Sequence, residues 1–231
     1  MANIHLIGGE KGGVGKSVVA RLLAQYCIDR SIPFLGFDAD RSHGALMRFY
    51  ADYASAVLVD RYESLDAIVE SATDNPERRI IVDLAAQAEE PLTQWMDESQ
   101  LLEVAREIGL NIRYWHVMDS GRDSVDLLRR LFDRYGQRLS YVIVLNQLRG
   151  DDFHLFRSSG LPERAHAFNA ATVTLKHLSD ATMLKIDENS SSFWSAAEGE
   201  SSGGLRFGML ERQRFKTWLK SAYEAIEPLG V

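Results

Sequence analysis

Short apolar runs alternate with helix-periodic segments along most of the chain. The runs predict buried strands, because strands covered on both faces read as nearly continuous hydrophobic stretches. The predicted strands are Asn3–Ile7, Pro33–Asp38, Arg79–Leu84, Ile112–Val117, Tyr141–Asn146 and Ala171–Leu175. Apolar spacings of three and four predict helices between them, including one from Lys16 and those at Ser64–Ala72, Gln100–Ile108 and Ser124–Tyr135. This alternation predicts an α/β fold, a doubly wound and mostly parallel sheet with helices on both faces.

The C-terminal part of the chain predicts one more helix, at about residues 205–227 within Gly203–Pro228. Its apolar face consists of Phe215, Trp218, Leu219, Ala222 and Ile226. We expect this face to pack on the core, within a single domain spanning residues 1–231. The preceding segment Ser190–Ser202 is polar and rich in serine, apart from Phe193 and Trp194, and it predicts a loop.

Composition and charge narrow the class of protein. The chain has 231 residues, 45% hydrophobic and 26% charged, which are ordinary globular values. The net charge of -7 argues against a surface built to coat nucleic acid, although a local basic patch remains compatible with it. Cys27, at an apolar helix position, predicts a buried inert thiol. No apolar run approaches the roughly 18 residues of a membrane span, and no signal peptide precedes the first strand, so we expect a soluble cytoplasmic protein.

The segment GEKGGVGKS, residues 9–17, follows the first predicted strand and opens the first predicted helix. Its glycines allow consecutive N–H groups to point inward, and the helix N-terminus favours an anion, so the loop predicts a polyphosphate site. Lys16 would reach the β- and γ-phosphates, and the Ser17 hydroxyl would contact Mg²⁺. The simple pattern G-x-x-x-x-G-K-[ST] fails, because Glu10 occupies its first position. The residues expected to contact the nucleotide are Gly12, Gly13, Val14, Gly15, Lys16, Ser17 and Val18.

Acidic residues end two of the predicted strands. Asp38 and Asp40 close the second strand in the sequence FDAD, and Asp83 closes the apolar run IIVD. Carboxylates at the mouth of a phosphate site repel one another unless a cation lies between them and the nucleotide. The sequence therefore predicts a magnesium site near the loop.

Lys11 explains the irregular loop, because KGGVGKS resembles the deviant Walker A motif of the ParA/MinD superfamily of P-loop ATPases. Within this superfamily, the sequence most resembles the ParA-like plasmid partition and stability proteins and the conjugation-associated members. The resemblance runs in register to about residue 180, and more loosely through the final helix. It implies bound ATP or ADP with Mg²⁺, and a slow ATPase stimulated by a partner. It also implies an ATP-dependent homodimer in which Lys11 reaches the nucleotide of the other subunit.

The same resemblance assigns roles to individual residues. Lys11, Lys16 and Asp40 would be catalytic, with Asp40 orienting or activating the attacking water. Ser17, Asp38 and Asp83 would serve the metal, with Asp83 in the Walker B position. Asn146, at the end of YVIVLN, matches the asparagine that recognises the adenine edge in relatives.

Three segments depart from the family pattern. Val18 replaces a second hydroxyl residue, residues 41–43 read Arg-Ser-His where partition proteins often have Pro-Gln, and Asp83 is followed by Leu-Ala-Ala-Gln. These departures therefore weaken the prediction of fast hydrolysis more than the prediction of nucleotide binding. Gln87 is interpreted as a solvated loop residue in preference to one that positions water.

The family resemblance leaves the cargo of such a switch open. Partition proteins act in DNA segregation and bind DNA non-specifically through basic residues, and Arg212, Lys216 and Lys220 form such a stripe here. If this chain works in the same way, the resemblance implies that it associates with the nucleoid and has a small adaptor or activating protein as partner. A second basic group comprises Arg129, Arg130, Arg134 and Arg138. The alternative is an ATPase that positions a protein cargo, such as a secretion, conjugation, motility or polar apparatus, without DNA.

Two other branches of the superfamily fit less well. A MinD-like basic membrane-targeting tail is missing from the terminal AIEPLGV. A lone Cys27 does not suit a shared iron–sulfur cluster, and the chain is small for an amide-forming synthetase.

Overall fold

A computed structural model of the chain describes residues 3–9, 12–40, 44–198 and 207–231. The strands are β1 (Asn3–Gly8), β2 (Phe34–Asp38), β3 (Ala54–Ala56), β4 (Arg79–Asp83), β5 (Asn111–Met118), β6 (Ser140–Asn146) and β7 (Ala171–Leu175). The helices are α1 (Lys16–Asp29), α2 (Ala45–Phe49), α3 (Tyr62–Asp74), α4 (Glu89–Glu98), α5 (Leu101–Glu107), α6 (Arg122–Tyr135), α7 (His154–Arg157), α8 (Leu161–Ala167), α9 (Asp180–Glu188), α10 (Phe193–Glu198) and α11 (Met209–Ile226).

The strands form one parallel sheet in the order β3-β2-β4-β1-β5-β6-β7. This confirms the predicted α/β fold class, and each predicted strand boundary lies within one residue of the observed one. The sequence did not predict β3, since three partly exposed residues, Ala-Ser-Ala, carry no apolar run.

Alternating side chains of the central strands feed two hydrophobic layers, one on each face of the sheet. In β5, Ile112 and Tyr114 belong to one layer, whereas Trp115 and Val117 belong to the other. Helices α3 to α6 cover the first face, and α1, α10 and α11 cover the second. Each helix therefore buries one apolar stripe against the sheet, and the carboxyl ends of the parallel strands share a single edge.

The prediction of a loop at Ser190–Ser202 is wrong for Phe193–Glu198, which form α10, whereas residues 190–192 lie outside any helix or strand as predicted. Phe193 is fully buried, and its ring packs against Phe215 and Trp218 of α11. The composition of the segment suggested a loop, but Phe193, Ala196 and Ala197 fall on one helical face that α11 covers. Residues 199–202 lie outside the described part of the chain.

The predicted C-terminal helix is present as α11, and all five residues of its expected apolar face are buried. Its first turn begins at Met209 instead of residue 205, and residues 205 and 206 lie outside the described ranges. Trp218 is buried as expected, whereas Trp194 remains about half exposed (46%). The helix packs against α10, β7 and α1, which places the end of the chain beside the first helix.

Candidate functional site

The ends of three neighbouring strands bring the predicted site residues to one edge of the sheet. In the sheet register, Asp83 of β4 lies opposite Ile7 of β1 and Asp38 of β2. The pairing continues beyond the strands, since the Leu84 N–H donates to Ile7 O at 3.0 Å and the Ala39 N–H donates to Asp83 O at 2.9 Å. Adjacent parallel strands lie about 4.8 Å apart, so Asp83 lies one strand and Asp38 two strands from the segment that leaves β1, both on the same side of it.

That segment is the glycine loop, which passes from β1 into α1. Gly13 and Gly15 adopt φ values of 79° and 98°, which a residue with a side chain rarely adopts. Helix α1 begins at Lys16, and among the described residues no side chain caps its N-terminus. The N–H groups of its first turn are therefore available to an anion. Glu10 and Lys11 lie outside the described residues, so the predicted role of Lys11 stays a prediction.

Asn146 holds the glycine loop from the end of β6. Its side-chain amide donates to Val14 O at 2.7 Å, and its side-chain oxygen accepts from the Leu148 N–H at 3.3 Å. A Cβ at Gly15 would stand 2.1 Å from the Asn146 amide nitrogen, so only glycine permits this approach. The structure thus gives Asn146 a loop-holding contact that the sequence did not predict, and adenine recognition remains a prediction.

Asp83 is a buried carboxylate with unmet hydrogen-bonding capacity. Only 2% of the residue is exposed, and neither oxygen has a hydrogen-bond partner of good geometry among the described residues. Burial raises the pKa of Asp83 to about 7, an effect that the Asp38 charge reinforces and that the Ser17 hydroxyl and Lys16 charge oppose. A cation beside Asp83 and Ser17 would satisfy these oxygens, so the residues present fit Mg²⁺.

Asp38 and Asp40, at and just beyond the end of β2, differ in their surroundings. The Asp38 oxygens accept from the backbone N–H groups of Asp40 at 3.0 Å and Met47 at 3.1 Å, which fixes the turn into α2. Burial raises the pKa of Asp38, and these backbone hydrogen bonds lower it. Asp40 lies instead on the wall of the cavity beside the glycine loop. Residues 41–43, where the sequence departs from the family pattern, lie outside the described residues.

A cavity of about 360 Å³ opens beside the loop and brings most of the predicted site together. The predicted residues on its wall are Gly12, Gly13, Gly15, Lys16, Ser17, Val18 and Asp40. Asp83 lies below them, whereas Val14 is buried in the core. Gln87 is exposed and lines a separate hollow with Gly8, Gly9 and Tyr114, in accordance with its interpretation as a loop residue. A larger hollow of about 710 Å³ lies near the opposite edge of the sheet, at the start of β5 and β6, away from these groups.

The opposite wall of the cavity holds residues that the sequence reasoning missed, namely Arg21, Arg48, Phe49, Met183 and Asp187. Arg21 carried a signal, because a charged residue stands among the apolar positions Ala20, Leu22 and Leu23 of α1. The other four come from α2 and α9, whose distance from α1 along the chain hides their proximity.

The predicted DNA-binding residues lie on α11, away from the cavity, and contact acidic or carbonyl groups. The Arg212 guanidinium donates to Glu198 O at 3.2 Å, Lys216 pairs with Glu198 at 2.9 Å, and Lys220 lies 3.9 Å from Glu224. The second basic group is paired in the same way, Arg129 with Asp126, Arg130 with Glu89, Arg134 with Asp97 and Arg138 with Glu103.

Three further features bear on the expected chemistry. Cys27 is buried, and burial raises the pKa of its thiol to about 12, which fits an inert thiol. In the described ranges, no group of three or more His, Cys, Asp or Glu side chains forms a metal cluster. A magnesium ion would therefore depend on ligand phosphates and water in addition to Ser17 and Asp83. No helix among the described residues is long and apolar enough to cross a membrane.

No protein-family model matches the chain. Among curated proteins, Protein MobD of Acidithiobacillus ferrooxidans is 26% identical over 184 residues, covering 77% of this chain and 79% of MobD. A Protein TraL of Escherichia coli is 22% identical over 244 aligned positions, covering both chains completely. The solved structure of a putative plasmid partition protein from Borrelia burgdorferi B31, bound to AMPPNP, shares 12% identity.

The alignment with that partition protein spans 96% of this chain and 98% of the other, with a TM-score of 0.52. The two proteins therefore share a fold. This shared fold agrees with the resemblance to the ParA/MinD superfamily that was first drawn from the glycine loop.

Proposed function

We propose that the chain is an ATP-binding switch of the ParA type, which hydrolyses ATP slowly and acts in plasmid or DNA segregation or stability. The observation that carries the proposal is the placement of Asp83, with both oxygens buried and unpartnered among the described residues. The uncapped first turn of α1 begins beside it. The first turn of α1 suits a polyphosphate, and the Asp83 carboxylate suits the metal ion that accompanies it. The likeness to a partition protein bound to AMPPNP supports the same nucleotide class.

The site residues would have separate roles in phosphoryl transfer to water. The loop N–H groups and Lys16 would hold the β- and γ-phosphates, and Ser17 and Asp83 would hold Mg²⁺, with Asp38 fixing the turn behind them. When bound, Mg²⁺ neutralises charge that develops on the phosphoryl group. Asp40, on the cavity wall, would orient the attacking water.

Nucleotide binding can be tested directly by calorimetric titration with MgATP. Lys16→Ala is expected to weaken binding by a hundredfold or more, on the order of the 3 kcal/mol that a charge-assisted contact to phosphate provides. Lys176→Ala is the matched control, because Lys176 is an exposed lysine away from the cavity. Equal MgATP affinity in the Lys16→Ala variant and the parent would remove the glycine loop from the proposal.

The dimeric part of the proposal depends on Lys11, which by resemblance would complete the site of a second subunit. A lysine supplied in trans would make hydrolysis depend on association, as an arginine finger does. We expect ATP to convert the parent from monomer to dimer in sedimentation velocity, and Lys11→Ala to remain monomeric while still binding ATP. An Lys11→Ala variant that dimerises and hydrolyses ATP like the parent would contradict this account.

A second candidate function, the positioning of a protein cargo without DNA, is favoured by the pairing of the basic residues. Arg212 donates to the backbone oxygen of Glu198, and Lys216 and Lys220 lie near glutamate carboxylates, so phosphate contacts would have to compete with these partners. In the segregation account, the ATP-bound protein retains non-specific DNA in a salt-sensitive manner, and charge removal at these three residues lowers retention. Absence of ATP-dependent retention would favour cargo positioning.

A further inference from the structure

The cavity beside the glycine loop is lined in part by an ion pair between α1 and α9. Arg21 Nη1 lies 2.8 Å from Asp187 Oδ1, and both residues line the cavity. The Arg21 side chain is only 3% exposed, whereas that of Asp187 is 45% exposed. The aspartate is therefore the half-exposed member of the pair, and the arginine beside it is buried.

Arg21 is held in an unusual setting for a charged group. Its guanidinium lies 3.6 Å from the ring centroid of Phe49 and 4.6 Å from that of Phe193. Nε and Nη2 have no hydrogen-bond partner among the described residues. Burial lowers the pKa of Arg21, and the Asp187 charge opposes that shift. Burying an arginine with one charged partner costs folding free energy. What the pair provides in return is an Asp187 carboxylate that is held in one orientation.

Asp187 is fixed from a second direction by Arg48 of α2. The Arg48 guanidinium donates to the Asp187 backbone oxygen and, at 2.7 Å, to Ser190 Oγ. The C-terminal end of α9 is thereby attached to both α1 and α2. The second carboxylate oxygen, Oδ2, makes no hydrogen bond with the described residues. An acceptor with fixed geometry thus faces the cavity.

The acceptor and the glycine loop line the same cavity. Arg21 follows Lys16 by five residues on α1, a displacement of about 7.5 Å along the helix. The Arg48 guanidinium beside Asp187 is engaged with Asp187 O and Ser190 Oγ. The Asp187 carboxylate itself repels phosphate, so it suits a neutral donor such as a hydroxyl. Met183 lies one helical turn before Asp187 and, with Val18 and Leu148, provides apolar surface for a base.

We infer that Asp187 accepts hydrogen bonds from the ribose hydroxyls of the bound nucleotide, with Arg21 as its positioning residue, so that the site selects ribonucleotides over deoxyribonucleotides. This inference rests on the proposed function, because it requires the phosphates to occupy the glycine loop. Vicinal hydroxyls are neutral donors, and a fixed carboxylate oxygen is their complement.

The first test uses the parent chain and three nucleotides in titration calorimetry, namely MgATP, Mg-2′-deoxy-ATP and Mg-3′-deoxy-ATP. At least one deoxy analogue is expected to bind about tenfold more weakly, since a hydrogen bond to a charged group is lost. Equal affinities for all three would overturn the inference and leave ATP binding intact. Failure of all three to bind would instead refute the proposed function, and the inference with it.

The second test locates the selectivity in Asp187. In Asp187→Ala, the affinity ratio between MgATP and the discriminated analogue is expected to fall towards one. The double variant Arg21→Met/Asp187→Ala removes both charges, so it keeps the test valid if an unpaired Arg21 prevents folding. Glu188→Ala is the matched control, since Glu188 is the next residue of α9, is exposed and does not line the cavity. A ratio that stays at its parental value in the folded variants would overturn the assignment.

Discussion

At the scale of single residues, the site contains groups whose surroundings oppose their charged forms. Asp83 is the main case, because the carboxylate is almost fully buried and its oxygens lack partners among the described residues. A carboxylate in this environment contributes little to the stability of the ligand-free protein but is available to bind a ligand, as expected of residues selected for binding. The same reasoning predicts opposite effects of one substitution on stability and on binding.

Asp83→Asn is expected to leave the ligand-free protein as stable as the parent or more stable by about 1–2 kcal/mol, because the amide needs no buried charge. The same variant should lose at least tenfold in MgATP affinity, because one ligand to the metal is weakened. Urea denaturation and calorimetry measure the two quantities. Asp52→Asn, in an exposed turn, is the control expected to change neither. Marked destabilisation of Asp83→Asn would show that the ionised carboxylate is a structural group.

Two buried histidines give the fold a pH dependence. His5 accepts a hydrogen bond from the Trp115 indole at 3.0 Å, and His116 Nε2 donates to Ser124 O at 2.8 Å. Burial lowers the pKa of His5 to about 3 and that of His116 to about 4. The unfolded chain takes up protons as the pH falls through about 6.5, whereas the native rings stay neutral. The contribution of the two histidines to stability therefore falls as the pH decreases from about 6.5 towards 4, whereas protonation of Asp83 in the native state, with its pKa raised to about 7, opposes part of this loss.

At pH 5 this linkage is expected to cost about 2 kcal/mol per histidine relative to neutral pH. His116→Gln keeps a donor near Ser124 O and removes the titrating ring, so its loss of stability between pH 7 and pH 5 should be smaller. Urea denaturation at the two pH values measures this difference. His166→Gln, at an exposed position, is the matched control. Equal losses in His116→Gln and the parent would exclude His116 as a source of the acid sensitivity.

At the scale of elements, the glycine loop depends on β6 as well as on the strand and helix that it joins. The sequence predicted the strand, the loop and the start of α1 within one residue, because the apolar run and the glycines are local signals. It did not predict the hydrogen bond from Asn146 to Val14, which joins residues 132 positions apart. The end of β6 thus contributes to the shape of the loop.

Asn146→Ala is expected to weaken the binding of MgATP and MgGTP by similar factors, about tenfold, because the loop loses a buried hydrogen bond. Gln147→Ala, the neighbouring substitution on the partly exposed 3-10 turn, is the control. Calorimetric titration with both nucleotides separates the two roles of Asn146. A loss confined to MgATP would assign the asparagine to the adenine edge and contradict the loop-holding role.

At the scale of the whole molecule, the C-terminal helix closes the hydrophobic layer that contains α1. Phe215 of α11 is fully buried and contacts both Phe193 of α10 and Trp218. This part of the chain therefore stabilises the face of the sheet that carries α1, beside which the cavity at the glycine loop opens. A substitution here should affect folding and leave the ligand chemistry unchanged.

Phe215→Ala is expected to lower the free energy of unfolding by about 3–5 kcal/mol, as for other buried aromatic side chains. Under conditions where the variant remains folded, its MgATP affinity should equal that of the parent. Leu210→Ala, at the second residue of α11 and 69% exposed, should change stability by less than about 0.5 kcal/mol. A stability loss below about 1 kcal/mol in Phe215→Ala would show that α11 is not part of the cooperative core.

The sequence alone determined the alternation of strands and helices, the glycine loop and the acidic strand ends, because each is encoded by neighbouring residues. It misjudged α10, since Phe193 becomes a helical core residue only when α11 covers it. Tertiary structure alone decided the far wall of the cavity, where Arg21 and Asp187 meet across 166 residues of chain. Contacts between distant segments depend on how α2 and α9 pack beside α1, and no local pattern records that packing.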